Sequence, residues 1–338
     1  LMSLVISCAE KPGKDLDLSS ATLWISPSLE SSFQQTAKAV LVEEVQKRTD
    51  LTLEQGNIWK SNTVIALALE GDDKLNNETV PARTKEHPEY KKEGYRLVHE
   101  SRDGKDILWI IGADARGILY GVGKVLRMAD MEQHKFSVSK SVDFSESPQY
   151  AMRGHQFGYR DTANSWDSWT VAQFDQHFRE QVLFGANSFE NIPFQDPLSS
   201  VHFKMDPKIM EVEMSKICDK YQADYWVWTP APDDLTKGNA YNEGLAEQEA
   251  FYALCPRLDG VFVPGGDPGD NHPSVLIPYL KDLSVLLKKH HPNAGIWVSL
   301  QGFNKEQVEY FFKYLEDNDP DWLTGLVYGP SSPPLALD

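Results

Sequence analysis

The chain of 338 residues is 41% hydrophobic and 11% aromatic, and its formal net charge is −17. This apolar content is enough for a large core and indicates two domains. The negative charge argues against a nucleic-acid partner, because such proteins need a basic surface to displace counterions from phosphates. No apolar stretch reaches about 18 residues, so the sequence predicts no membrane-spanning segment within this chain.

An apolar run near the N-terminus ends in Val5-Ile6-Ser7-Cys8. It is similar to the lipobox of bacterial lipoprotein precursors, in which the cysteine is lipidated, and polar residues follow it as a flexible tether would. We therefore expect residues 1–20 to be a signal remnant and tether. Lipidation of Cys8 would anchor the protein in the bacterial cell envelope, in the periplasm or at the outer-membrane surface, and would be its only membrane contact. The charged segment of a signal peptide is missing, so the chain is expected to begin inside its own precursor. An ordinary leading strand is the alternative.

Residues 21–147 alternate strand-like and helix-like patterns, and they are predicted to form a separate α/β domain. Apolar residues recur at helical spacing over 29–48, and short runs rich in β-branched residues on either side are typical of strands. A last helix, predicted from about Arg116 to Met131, opens at a glycine-rich turn. The repeat length changes near Pro148, which follows a Ser-Glu-Ser linker and marks the domain boundary.

Residues 148–338 contain strand-like segments that recur every 30–40 residues or so and alternate with amphipathic helical segments, as in a TIM barrel. A doubly wound sheet would give the same alternation. The barrel is favoured because nearly every strand ends in polar or aromatic groups followed by Pro or Gly. We count about six βα units where a (β/α)8 barrel has eight, so the barrel is expected to be truncated in this chain. The six strands are predicted at 152–159, 186–193, 223–230, 260–264, 294–300 and 325–330.

The segment GVFVPGGDPGDNHP, residues 260–273, places two carboxyl groups and a histidine directly after the fourth of these strands. Barrel active sites lie at the carboxyl ends of the strands, so Asp267 is the first catalytic candidate. Glu190, at the end of the second strand, is the other. Cleavage of a glycosidic bond needs two carboxyl groups, or one carboxyl and a substrate group in place of the second. Aromatic walls would raise the pKa of such a carboxyl and favour proton donation.

Further polar and aromatic residues near the predicted strand ends are candidates for substrate binding. Trp226 and Trp228 share a face of the third strand, and Trp228 could stack on a sugar ring, although an indole packed in the core fits the pattern equally well. His155 would project to the same side as Arg153 on a regular strand. Asp270 and His272 could bind sugar hydroxyls, although a loop histidine is often simply solvated. The predicted substrate-binding set is Arg153, His155, Asn187, Trp228, Asp270, His272, Gln301 and Tyr328.

The remaining cysteines and acidic residues do not indicate a metal site. Cys218 and Cys255 each precede an apolar run, and no C-x-x-C spacing occurs, so buried free thiols are expected. No His, Asp and Glu trio has the spacing of a zinc site. We expect no metal and no cofactor.

Two motifs resemble a group of carbohydrate enzymes, the β-N-acetylhexosaminidases and the α-glucuronidases, in which a small α/β domain precedes a TIM barrel. The first motif, G-x-D-x-R-G-x-x-Y-G, begins at Gly112, and the second, P-x-Y-x-x-R-G, begins at Pro148. The matching residues are Gly112, Asp114, Arg116, Gly117, Tyr120 and Gly121, then Pro148, Tyr150, Arg153 and Gly154.

The resemblance implies that Arg153 holds sugar hydroxyls. Hexosaminidases end their fourth strand in G-G-D-E, where the aspartate orients the acetamido group and the glutamate is the general acid. This chain has Gly265-Gly266-Asp267-Pro268, so the aspartate matches and a proline replaces the glutamate. α-Glucuronidases place an acid followed by Gly and Pro at the same strand end, which is a looser match.

The resemblance therefore implies a glycoside hydrolase that acts on a hexosaminide- or uronide-containing glycan. A non-catalytic carbohydrate-binding surface lipoprotein is the alternative, and a polysaccharide lyase or another hydrolase on the same barrel is a further one.

Overall fold

The computed structural model describes residues 15–84, 91–157, 166–191 and 204–328, except for the side chain of residue 167. The described residues form two compact units. One consists of residues up to Ala151 together with Gln181–Gly185, and the other of Met152–Glu180 together with residues from Ala186 onward. Within the described ranges, no helix has both the length and the apolarity needed to cross a membrane. Cys218 and Cys255 are buried free thiols, as predicted.

The first unit is built on a six-stranded mixed sheet, a three-stranded sheet, a short hairpin and two helices. Its helices are α1 (Ser31–Thr49) and α2 (Ala115–Met128). Its strands are β1 (Asp15–Asp17), β2 (Thr22–Ile25), β3 (Glu54–Gln55), β4 (Thr63–Leu69), β5 (Lys74–Leu75), β6 (Glu78–Thr79), β7 (Tyr95–Arg102), β8 (Lys105–Gly112), β9 (Asp130–Glu132), β10 (Lys135–Ser139) and β11 (Asp143–Glu146). The large sheet has the order β11-β7-β8-β4-β2-β3, the second sheet is β1-β10-β9, and β5 pairs with β6.

The start of α2 explains the first motif in structural terms. The Asp114 side chain caps the helix by accepting a hydrogen bond from the Gly117 N–H at 2.9 Å, and it also accepts one from the Glu93 N–H at 2.8 Å. Arg116 forms an ion pair with the Glu93 carboxylate at 2.7 Å. A side chain at Gly117 would collide with the Gly94 carbonyl. These residues therefore attach the start of α2 to the chain that leads into β7.

The last predicted helix of this unit ends earlier than expected, at Met128 instead of Met131. Residues 130–132 instead form β9, which pairs antiparallel with β10, and this pairing removes them from the helix. The polar segment between β4 and β7 begins with the β5–β6 hairpin, whose turn residues Asn76 and Asn77 both have positive φ.

The second unit alternates strands and helices. In chain order these are β12 (Gly154–Phe157), α3 (Val171–Leu183), β13 (Ser188–Asn191), α4 (Pro207–Tyr221), β14 (Asp224–Trp228), α5 (Ala240–Leu254), β15 (Gly260–Val263), α6 (Pro273–His290), β16 (Gly295–Ser299), α7 (Lys305–Asn318) and β17 (Gly325–Val327). The six strands are all parallel and are ordered as in the sequence, from β12 to β17. A doubly wound sheet reverses its strand order at a switch point. The described strands show no such reversal, so that alternative is excluded for them.

The strand register divides the side chains of this sheet between two faces, because paired residues point the same way and neighbours along a strand alternate. The helix-facing side carries Phe157 and Phe189, whose rings contact Phe178 of α3. The other side, here called the opposite face, carries polar groups and large indoles. Along the paired strands its residues include Gln156, Glu190, Trp226, Trp228, Phe262, Trp297 and Ser299.

Candidate active site

Glu190 is the most unusual carboxyl group on the opposite face. It lies on β13 in register with Gln156 of β12 and Trp226 of β14. Its Oε2 accepts a hydrogen bond from Gln156 Nε2 at 2.8 Å, whereas Oε1 is buried and has no hydrogen-bond partner in the part of the chain that the structure describes. Burial raises the pKa of this carboxyl, and the Gln156 hydrogen bond only partly opposes the shift. Glu190 therefore retains a proton at higher pH than an ordinary glutamic acid, as a proton donor requires.

Two indoles cover the sheet beside Glu190. The Trp226 ring lies over Gly260 of the next strand, and the Trp297 ring lies over Gly325 in the same way. The two ring centroids are 5.7 Å apart and the ring planes are inclined at 49°. Trp226 Nε1 is buried and has no hydrogen-bond partner among the described residues. This tryptophan pair gives the opposite face apolar ring surface next to a carboxyl group, which suits the CH face of a sugar ring. The sequence pattern placed Trp226 on the same face as Trp228 but did not mark it as a site residue, and Trp297 was not predicted. Glycines at the starts of β15 and β17 were the available signal.

Asp267 and Gln301 lie at the carboxyl ends of neighbouring strands and contact each other. The Gln301 side-chain amide donates a hydrogen bond to the Asp267 carboxylate, and the Gly266 N–H donates to the Gln301 carbonyl at 2.8 Å. The Asp267–Pro268 peptide bond is cis. Asp267 is exposed, so the aromatic walls expected around this carboxyl are not found there. The pair therefore presents an oriented carboxylate at the end of β15.

The rest of the 260–273 loop serves mainly to shape the turn. Asp270 is exposed, has a φ of 49°, and its N–H donates to the Gly266 carbonyl at 2.9 Å. His272 caps α6, because its Nδ1 accepts a hydrogen bond from the Ser274 N–H at 3.1 Å. Its Nε2 lies 3.4 Å from a Glu306 carboxylate oxygen. Capping accounts for His272 without a ligand.

Asn271 was not predicted, yet it holds this loop in place. Its Nδ2 donates to the carbonyls of Ala231 and Asp233 at 3.0 and 2.8 Å, and its Oδ1 accepts from the Leu235 N–H at 3.0 Å. The side chain is 5% exposed. These bonds connect the loop after β15 to the loop after β14. In the sequence it is one more turn-forming residue in a polar run, so no pattern marks it.

Arg153 and Asn187 lie at the amino-terminal ends of β12 and β13, at the opposite edge of the sheet from Asp267 and Gln301. The strands begin later than predicted, at Gly154 and Ser188. The Asn187 side chain accepts a hydrogen bond from the Arg153 N–H at 2.8 Å, and the Asn187 N–H donates to the Arg153 carbonyl at 2.7 Å. The structure therefore does not bring these two residues together with Asp267.

His155 lies on the helix-facing side of β12, away from Glu190. Its ring contacts Phe157 and Trp166, and its Nδ1 is 3.1 Å from Nε2 of His177 on α3. The expectation that His155 shares one pocket with the other candidates is corrected by this placement, because alternation along β12 puts Gln156, and not His155, beside Glu190. Trp228 lies on the opposite face at the end of β14. Tyr328 follows β17 and is 60% exposed, and Cys8 lies outside the described residues.

Solved structures with a similar fold include several hexosaminidases. A Streptomyces plicatus β-hexosaminidase variant in complex with the product GlcNAc has a TM-score of 0.60 and 12% identity, with 94% of this chain and 72% of that chain covered. The same organism's N-acetyl-β-hexosaminidase in complex with Thio-NAglucal gives 0.56 and 12%, covering 93% and 71%. An inactive variant of a GH20 exo-β-N-acetylglucosaminidase from Vibrio harveyi gives 0.55 and 12%, covering 86% and 54%. No protein-family model and no curated protein matches the sequence.

Proposed function

We propose that the protein is a glycoside hydrolase that cleaves a hexosaminide- or uronide-containing glycan, with N-acetylhexosaminides as the first class to test. The observation that carries the proposal is the Glu190 carboxyl group. It is partly buried and its pKa is raised, and its buried Oε1 has no hydrogen-bond partner among the described residues. The Trp226–Trp297 pair lies beside it. The fold, shared with β-hexosaminidases, supports the same conclusion, and so does the predicted resemblance to that group.

In this proposal Glu190 is the general acid. Its protonated carboxyl donates to the glycosidic oxygen as the bond to the anomeric carbon breaks, so that the leaving sugar departs as an alcohol. The positive charge that develops on the sugar ring is stabilised by a second carboxylate or by a group of the substrate, and water completes the hydrolysis. Asp267, oriented by Gln301, is the second carboxyl group that we assign to the site.

The wider organisation is proposed on the same grounds. Six parallel strands in sequence order are what the first six strands of a (β/α)8 barrel would form, and their carboxyl ends would then share one face. Residues 21–147 would be the preceding α/β domain, and 148–338 the catalytic one. Lipidation at Cys8 would place the enzyme in the bacterial cell envelope, with a carbohydrate as its partner and no cofactor.

The test is an assay of the full protein on a panel of aryl glycosides that includes N-acetyl-β-hexosaminides and α-glucuronides. Glu190→Gln keeps the shape of the side chain and removes its proton, and we expect kcat to fall about 100- to 10,000-fold with binding largely retained. Glu243→Gln, at an exposed position of α5, is the matched control and should leave kcat unchanged. Full turnover in Glu190→Gln would remove this residue from the chemistry.

A carbohydrate-binding protein without catalysis is the second candidate. Pro268, which stands where hexosaminidases carry their general acid, favours it. Sugar binding that is seen by calorimetry, with no cleavage of any glycoside in the panel, would establish this alternative. In that case Asp267→Asn and Glu190→Gln should change only the dissociation constant.

A further inference from the structure

A cavity of about 150 Å³ lies beside the carboxyl end of β14. A cavity of this volume is large enough for a small organic molecule. It is lined by the first turns of α4, by residues 244–251 of α5, by the loop after β14 and by Tyr279 of α6. Val227 and Trp228 of β14 also line it, so it includes one residue of the predicted substrate-binding set. Neither Glu190 nor Asp267 lines it, and the proposed hydrolysis assigns no role to Glu211.

The cavity contains an unpaired buried acid. The Glu211 side chain of α4 lines it, is only 5% exposed, and forms no hydrogen bond or ion pair with any residue that the structure describes. Burial raises the pKa of this carboxyl to about 8. Burying a carboxyl without a partner is costly, and the group becomes neutral unless a counter-charge is supplied. Among the described residues, none supplies a counter-charge within hydrogen-bonding distance of this carboxyl.

The surroundings of Glu211 are more negative than positive. Of the described residues that line the cavity, Lys208 is the one with a positive charge, and its exposed side chain already pairs with Glu247 of α5. Asp233, from the loop after β14, adds a further acid to the lining. The remaining titratable groups that face Glu211 or the cavity are Asp206, Tyr225, Cys255 and Tyr279. A guest with a positive charge would thus meet excess negative charge on entering.

Much of the remaining lining is apolar or aromatic, and Thr229 and Gln248 add polar groups. Phe251 and Tyr279 contribute aromatic side chains, and Pro207, Pro230 and Pro232 contribute rings without polar side-chain groups. Aromatic side chains attract organic cations, and apolar walls favour a short hydrocarbon chain over a hydrated metal ion.

We propose that this cavity binds a small organic ammonium ion, with the Glu211 carboxylate as its counter-charge and the aromatic walls around its hydrocarbon part. When the guest binds, the protonated Glu211 carboxyl releases its proton to solvent and the carboxylate then pairs with the ammonium group. Neither Glu190 nor Asp267 lines the cavity, so the ammonium site does not include the proposed catalytic carboxyl groups.

The experiment is isothermal titration calorimetry of the full protein with butylammonium chloride, with 1-butanol as the uncharged control. Near pH 7 we expect butylammonium to bind at least tenfold more tightly than 1-butanol. Binding should release nearly one proton, seen as a heat that changes between phosphate and Tris buffers in proportion to their ionisation enthalpies. Equal binding of the two compounds, or no binding of butylammonium at about 10 mM, would overturn the proposal.

Glu211→Gln isolates the counter-charge. The variant should fold normally, because glutamine resembles the neutral acid that the empty cavity holds, and thermal unfolding checks this. We expect butylammonium to bind at least tenfold more weakly, without proton release, while 1-butanol is unaffected. Glu243→Gln, on the same pair of helices but outside the cavity, should behave as the wild type does. Unchanged butylammonium affinity in Glu211→Gln would refute the assignment. Cleavage of glycosides by the same variant separates this result from the fate of Glu190.

Discussion

At Gly260 the strand carries no side chain because the Trp226 ring occupies the space in which a Cβ atom would lie. Gly325 has the same relation to Trp297. Both glycines are therefore required by close approach of an indole, and both have ordinary backbone conformations. The positions of the two indoles beside Glu190 therefore depend on two glycines, which have no side-chain functional groups.

We expect Gly260→Ala to destabilise the protein by about 1–3 kcal/mol, because the added methyl group forces the Trp226 ring to move in a packed environment. Equilibrium urea unfolding followed by tryptophan fluorescence measures the change. Gly71→Ala is the control, since a Cβ at Gly71 would meet no atom within 4 Å. Equal stability of the two variants would show that the indole does not lie where the structure places it.

Asn271 is a second residue whose contribution to stability is larger than its place in a polar turn indicates. Removing its amide in Asn271→Ala leaves backbone groups of Ala231, Asp233 and Leu235 without this partner, and Ala231 and Leu235 are buried. We expect a loss of about 1–3 kcal/mol and faster proteolysis in the loop after β14. Limited digestion with mass spectrometry locates the cleavage. Asn242→Ala, at an exposed position of α5, should leave both quantities unchanged.

At the scale of elements, β12 and α3 are joined by a cluster of rings that includes two histidines. His155 of β12 and His177 of α3 lie 3.1 Å apart between ring nitrogens, among Phe157, Trp166 and Trp169. Burial lowers the pKa of both rings, and for His177 the neighbouring His155 adds to the effect while Glu180 opposes it. Folding therefore favours the neutral form of both rings.

The sign of the pH dependence follows from these lowered pKa values. The unfolded chain takes up protons near the ordinary pKa of 6.5, and the folded chain only at lower pH. The stability that the pair contributes is therefore fully present above pH 6.5 and is lost as the pH falls below it. We expect the melting temperature to drop between pH 7.5 and 5.5, and His177→Phe to make that drop smaller. His134→Asn, at an exposed turn with positive φ, should leave the slope unchanged. A slope in His177→Phe as steep as in the wild type would contradict the assignment.

At the scale of the whole molecule, the parallel strands follow one another in sequence order, so each βα unit adds a strand beside the previous one. Such an arrangement brings residues that are 30–40 positions apart to neighbouring strand ends, as with Asp267 and Gln301. A site of this kind is assembled from short loops and needs no local motif.

The anchoring that the N-terminal sequence suggests is also a property of the whole molecule. If Cys8 is lipidated, the full-length precursor expressed in a bacterial host should partition with membranes, because the acyl chains that the lipoprotein pathway attaches insert into the bilayer. Cys8→Ala should release the protein into the soluble fraction, whereas Cys218→Ala, a buried thiol, should not. A wild-type protein found soluble with an unmodified Cys8 would rule out the anchor.

Much of the fold was determined by the sequence alone. The six strand positions in the second unit were predicted from apolar runs at regular spacing, since a strand and an amphipathic helix each have a periodicity that their own residues specify. The resemblance to β-N-acetylhexosaminidases, read from motifs around Asp114 and Arg153, is confirmed at the level of the fold. The boundaries were less accurate, because the ends of β12, β13 and α2 depend on pairing with distant strands.

The site depended on tertiary structure. Sequence alternation could not tell which face of β12 meets the helices, so His155 was grouped with residues from which the sheet separates it. Residues such as Arg153 and Asn187 looked like strand ends but precede their strands, because hydrogen bonds between neighbouring strands decide where each begins. The raised pKa of Glu190 and the cavity around Glu211 arise from burial by residues far apart in the chain. Such desolvation is a property of the packed chain, which no local sequence pattern records.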